Sequence, residues 1–170
     1  MKKEHLKGFT IMELMTVMVI IGILAATAIP LVNRYLKKSK STEATLNLRK
    51  IYDGEVAYYQ DEHTNSSGVM VTKEFVSAAV TPPYPMGIDK RAGDWTATSW
   101  SSIKFAADSP VLYSYSTVTA GSGTSAQFTA RAEGDIDADG ISSVLERTAS
   151  VNTAGEVEGG GAIFELNPGE

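Results

Sequence analysis

The apolar residues divide the chain into three stretches. From Leu14 to Val32 no residue carries a charge, a run long enough to cross a hydrocarbon core as a helix. From Tyr35 to Gln60 strong helix formers dominate, and Leu48, Ile51, Tyr52, Val56 and Tyr59 recur at three-to-four spacing, which marks one apolar face. Past residue 110 the period falls to two. "VLYSYSTVT" (111–119) and "AQFTARAE" (126–133) alternate on either side of the turn-rich "AGSGTS", and this predicts a β-hairpin. "SVNTAGEVE" (150–158) predicts a second short hairpin, and "AIFEL" (162–166) a last strand. The pattern therefore predicts one long helix from about Phe9 to Asp61, apolar all round in its first half and amphipathic in its second, with Gly54 its weak point. The amphipathic half needs a partner surface, so the fold class is α+β, a long N-terminal helix packed on an antiparallel sheet. "HTNSSG" (63–68) ends the helix, and residues of about 62–110 are expected to form a surface loop containing the extended "TPPYPMG" (81–87). Within it Trp95, Trp100, Ile103 and Phe105 are expected to cap the core.

Two residues interrupt the apolar run. Glu13 places a carboxylate where an unneutralised charge costs roughly 3 kcal/mol. Pro30 has no N–H and crowds the carbonyl of Ala26, so a kink is expected there, with Gly22 weakening the helix further. Lys2, Lys3 and Lys7 precede the run and point to a cytoplasmic N-terminus, although Arg34, Lys37, Lys38 and Lys40 make the far flank basic as well. That second cluster suits anionic headgroups or acidic groups of adjacent subunits, or is simply a solvated helix face. On these features a signal peptide cut within "ILAATA", after Ala26 or Ala28, and an uncleaved anchor both stay open.

A short basic leader ends in Gly8. Phe9 and Thr10 follow, Glu13 is the fifth residue after the glycine, and an uninterrupted apolar helix comes next with Gly22 and Pro30 in it. This resembles the class III signal of type IV pilins and of the pseudopilins of type II secretion, closely over residues 2–35 and loosely to about residue 60. The resemblance implies cleavage between Gly8 and Phe9 by a prepilin peptidase, N-methylation of Phe9, and retention of the helix on the mature protein. Residues 1–8 are then a cleaved leader, 9–32 a transmembrane and filament-core helix, and 33–170 a periplasmic or extracellular head with the amphipathic half of the helix. Glycine before the cut lets the peptidase approach the backbone closely. Glu13 of one subunit is expected to pair with the new Phe9 amine of a neighbour, since a buried pair offsets much of the cost of a buried charge; snorkelling to the membrane edge is the plainer reading. Local melting between Gly22 and Pro30 in the filament is also implied.

The implied function is the structural subunit of a bacterial type IV pilus, a self-polymer serving adhesion, twitching motility or uptake and without catalysis of its own. Minor pilin and secretion pseudopilin are the alternatives. Its partners would be the peptidase, the inner-membrane assembly platform with its ATPase motor, minor pilins, and the membrane before assembly. Its location would be the inner membrane and then the surface filament.

Composition narrows the rest. A net charge of −5 argues against a nucleic-acid surface. There is no cysteine, so disulfides and thiolate metal sites are excluded, and His63 is the only histidine outside the leader. In "DIDADGISSVLE" Asp135, Asp137 and Asp139 alternate, Gly140 follows and Glu146 takes the twelfth position. That is an EF-hand-type layout for calcium, with Ile141 offering a carbonyl and Ser143 acting directly or through water. The flanks read as strand and short helix, and Ser142 holds the usual apolar position. The loop therefore resembles the isolated calcium loops of extracellular repeat proteins more than a sensor EF-hand, and a solvated acidic turn is the plainer reading. A different class, a signal-anchored periplasmic calcium-dependent binding protein or enzyme, predicts no processing at Gly8. No nucleophile–base pair is visible for it; Asp94 and Asp108 stand as scattered carboxylates.

Overall fold

A computed structural model describes residues 8–84 and 87–167; the basic residues before Gly8, with Pro85 and Met86 of the extended loop, lie outside the described residues. The chain forms two compact units, Met1–Leu36 and Lys37–Glu170. Helix α1, Ile11–Gln60, contributes to both. This is the long helix expected from the sequence, within two residues at its start and one at its end.

In the first unit almost every described residue is exposed, large apolar side chains such as Met15, Ile21 and Leu31 included. The helix continues through Pro30. Two threonines in this stretch satisfy their hydroxyls on their own helix: Thr16 Oγ1 donates to the Met12 carbonyl at 2.9 Å and Thr27 Oγ1 to the Leu24 carbonyl at 2.9 Å. A hydroxyl bonded in this way costs little in an apolar medium.

In the second unit the rest of α1 buries Ala44, Asn47, Leu48, Ile51, Glu55 and Tyr59, one face at three-to-four spacing. Six antiparallel strands form a single sheet: β1 (Ala78–Thr81), β2 (Ser114–Ala120), β3 (Gln127–Gly134), β4 (Ser143–Val151), β5 (Val157–Gly159) and β6 (Phe164–Leu166). They pair in the order β1-β2-β3-β4-β5, with β6 also on β4. The hairpin of β2 and β3 runs from Ser114↔Glu133 to Ala120↔Gln127, and β4 with β5 is the second hairpin expected. Along β3, Phe128, Ala130 and Ala132 are buried while Gln127 is exposed and Thr129, Arg131 and Glu133 are half-buried. The alternation is what a sheet covered on one face requires.

Residues 62–110 are more than a surface loop. They supply β1, the short helix α2 (Thr98–Ser102), and core residues Phe75, Trp100, Ile103 and Phe105. Trp95 meets Trp100 and Phe105 edge-on, with ring centroids 5.3 and 5.1 Å apart. Gly54 has its reason here: a Cβ on it would collide with the carbonyl oxygen of Ile103.

Candidate assembly and cation sites

The head of α1 is built by four residues. Gly8 and Phe9 lie in irregular chain before the helix, and Phe9 is 83% exposed. A Cβ on Gly8 would meet nothing among the described residues within 4 Å, so packing among them does not ask for glycine there. Thr10 and Glu13 form a capping box, a reciprocal pair that sequence reading missed although the T-x-x-E spacing was legible. Glu13 Oε2 accepts the Thr10 N–H at 2.9 Å and the Thr10 hydroxyl at 2.9 Å, while the Glu13 N–H donates to Thr10 Oγ1 at 3.2 Å. The box satisfies donors that a helix start leaves open, and a carboxylate there also suits the helix dipole. Gly22, like Gly8, has open space where a side chain would go; around Gly22 and Pro30 the helix is unbroken.

The acidic turn joins β3 to β4. Asp135 organises it, with Oδ1 accepting the Ala138 N–H at 2.6 Å and Oδ2 the Gly140 N–H at 3.0 Å. Asp139 Oδ1 accepts the Ile141 N–H at 2.7 Å. Ala138 and Gly140 have φ of +63° and +89°, the left-handed region that makes glycine the natural residue at 140. One carboxylate oxygen from each of Asp135, Asp137 and Asp139 lies within 4.8 Å of the others. Three converging carboxylates fit a hard divalent cation.

The rest of the expected ligand set is placed differently. The segment after the turn is strand β4, not a short helix. Glu146 stands on that strand opposite Arg131, its Oε1 3.6 Å from the guanidinium, and it is not among the three grouped carboxylates. Ser143, the first residue of β4, is buried. Ile141 has its side chain half exposed.

Two lysines of α1 hold the turn from its other side. Lys37 Nζ lies 2.7 Å from Asp137 Oδ2 and Lys40 Nζ donates to the carbonyl of buried Ile136 at 2.7 Å. The hydrogen bond from Lys37 holds the Asp137 carboxyl below the usual carboxylate range. Half of the basic cluster read from the sequence is thus engaged within the head; Lys38 and Arg34 are exposed.

A long helix with an exposed apolar half, its other half packed on an antiparallel sheet, is a type IV pilin-like arrangement. The comparisons agree. The chain is similar to the type IV major pilin protein PilA of Myxococcus xanthus (strain DK1622), 43% identical over 56 residues, which is 33% of this chain and 26% of that protein. It is similar to the fimbrial protein EcpC of Eikenella corrodens, 48% identical over 63 residues, 36% of this chain and 40% of that protein. It is also similar to the type IV major fimbrial protein FimA of Dichelobacter nodosus, 60% identical over 41 residues, 24% of this chain and 26% of that protein. The chain thus aligns with between about a quarter and two-fifths of the length of these relatives. No family model and no solved structure matches it.

Proposed function

We propose that this chain is the structural subunit of a type IV pilus. A prepilin peptidase cuts between Gly8 and Phe9, the Phe9 amine is methylated, and subunits leave the inner membrane to polymerise through α1 into a surface filament. The observation that carries this reading is the first half of α1: an apolar helix exposed on every side, with a capped carboxylate at its head. Such a surface requires either lipid or other helices around it. Glu13 supports the assembly role. Its bonds to Thr10 meet one carboxylate oxygen, leaving Oε1 to pair with the Phe9 amine of a neighbouring subunit. The open space at Gly8 supports recognition by an enzyme from outside.

The assembly platform with its ATPase motor and minor pilins follow as partners, with adhesion, motility or uptake as the filament's work and no catalysis by the subunit. The similar proteins are named as major pilin and fimbrial proteins, which favours major pilin over minor pilin or pseudopilin. The test is the N-terminal mass of the mature chain recovered from sheared surface filaments. A methylated Phe9 in an abundant filament subunit is expected; an intact Met1, or a start after Ala28, would overturn the reading.

Calcium at Asp135, Asp137 and Asp139 belongs to the same proposal. The ion would neutralise three crowded carboxylates and brace the turn where disulfides are absent. Lys37 competes for Asp137, so the site would be a weak one.

A further inference from the structure

Glu55 lies on the packed face of α1 and exposes none of its surface. Its Oε2 accepts the Val76 N–H at 2.9 Å, in the chain leading to β1. Oε1 has no partner among the described residues. The Thr117 hydroxyl of β2 is spent on the same segment: it donates to the Val76 carbonyl at 2.7 Å and accepts the Ala78 N–H at 2.8 Å.

A hydroxyl owns one proton. With that proton on the Val76 carbonyl, Thr117 has none to offer Glu55. The carboxyl group is left fully buried with one donor, the Val76 N–H, and an oxygen that receives none among the described residues. A neutral carboxyl tolerates such a site, whereas an ionised one sits there without the donors or the cation it needs.

The titratable neighbours one turn away on α1 are Tyr52, Tyr58 and Tyr59. The segment leading to β1 carries Lys73 and Glu74 near Val76, and β2 carries Tyr115 near Thr117. Among the described residues no charged side chain shifts the carboxyl; burial and the Val76 N–H set its environment.

We propose that Glu55 is a proton-operated clasp: protonated, it fastens the Val76–Ala78 segment and β1 to α1, and ionised, it loosens them. The edge is already weakly held, for β1 is four residues long and its pairing with β2 shifts register between Ala78 and Thr81. Phe75, stacked on Tyr59 at 4.8 Å, keeps the release local.

Burial pushes the Glu55 carboxyl from its ordinary 4.5 up to about 7, against the opposing hydrogen bond from the Val76 N–H. The folded value lies above the unfolded one. The group's contribution to stability is therefore whole below about pH 4.5 and is lost as pH rises through about 7.

The experiment uses the full chain in detergent micelles. Melting temperatures of wild type and Glu55→Gln are measured at pH 5.5 and 8.5, and the Glu55 side-chain carboxyl carbon is titrated by NMR in the wild type. Raising the pH should lower the wild-type melting temperature by about 3 °C or more relative to the change in Glu55→Gln, and the carboxyl should titrate near pH 7. Equal pH responses of the two chains, or a carboxyl midpoint below about 5, would overturn the proposal. The NMR titration needs no variant, so a Glu55→Gln chain that fails to fold leaves the test intact.

Discussion

The two halves of α1 each contain one glycine, and the two glycines stand there for opposite reasons. Gly54 is pressed by the carbonyl of Ile103, and its missing side chain is what lets the end of α2 cross the helix. Gly22 has nothing among the described residues within 4 Å of where its side chain would be. In the packed half the sequence answers to contacts inside this chain. In the exposed half no contact among the described residues accounts for it; on the proposal above it answers to lipid first and then to other copies of the same helix. A helix-weakening residue with no contact among the described residues to explain it is what the proposed packing of helix on helix would call for.

The comparison breaks most sharply at Glu13. Glu13→Ala should leave insertion intact or easier, because a costly carboxylate is gone, while surface filaments fall by about tenfold or more, since an intersubunit charge pair of this kind is worth a few kcal/mol. Counting filaments in sheared preparations beside subunit in the membrane fraction checks it; wild-type piliation would mean that Glu13 serves only as a cap.

The glycines give a smaller pair of effects with opposite signs. Gly54→Ala gains helix propensity yet must displace Ile103, and should lower stability by about 1–3 kcal/mol. Gly22→Ala meets open space and should raise the helicity of the isolated chain, by up to about 1 kcal/mol. Thermal unfolding with circular dichroism reads both. The same sign for both would dissolve the contrast.

How legible this was in the sequence differs by region. Period carried the long helix and the hairpin of β2 and β3, because each runs for enough residues to repeat its pattern. β1 and α2 span four and five residues, too few for a period to show. Trp100, Ile103 and Phe105 were legible as core residues from their bulk alone and are buried as expected, whereas Phe75, in chain dense in Pro, Gly and Ser, was not read. The acidic turn was half legible. Spacing brought three aspartates together, but counting on to Glu146 assumed a loop where β4 begins. Once Ser143 starts a strand, residues 144 and 146 share the face away from α1, and Glu146 meets Arg131 there. Glu55 was readable but overlooked: it falls on the same stripe as Ile51 and Tyr59, where a carboxylate has no ordinary reason to be.

The smallest expected effect concerns the turn. At tenfold excess over its dissociation constant calcium would add about 1.4 kcal/mol, a rise of a few degrees in melting temperature for a unit of this size. Magnesium should do less, since it holds its waters in a tighter shell. Lys37→Met should enlarge the calcium response by removing the competing ammonium, and Asp137→Ala should abolish it. Identical melting curves in calcium and in chelator, for wild type and Lys37→Met alike, would leave the lysine as the turn's sole cation.

Strand β4 has an unusual set of neighbours. β3 pairs along one side from Ser143 to Ser150, while the other side is shared between two short strands, β6 at Val144–Glu146 and β5 at Ala149–Val151. The last stretch of chain is therefore tethered twice, by three residue pairs each time. Such short tethers fray independently, and amide hydrogens would exchange with solvent in steps: β5 or β6 first, in either order, and β4 only when β3 also parts. A nick near Gly160 would leave each fragment still bound to the same strand. The closing segment of the chain can thus tolerate local opening, or a cut, without exposing the alanine-lined surface beneath α1.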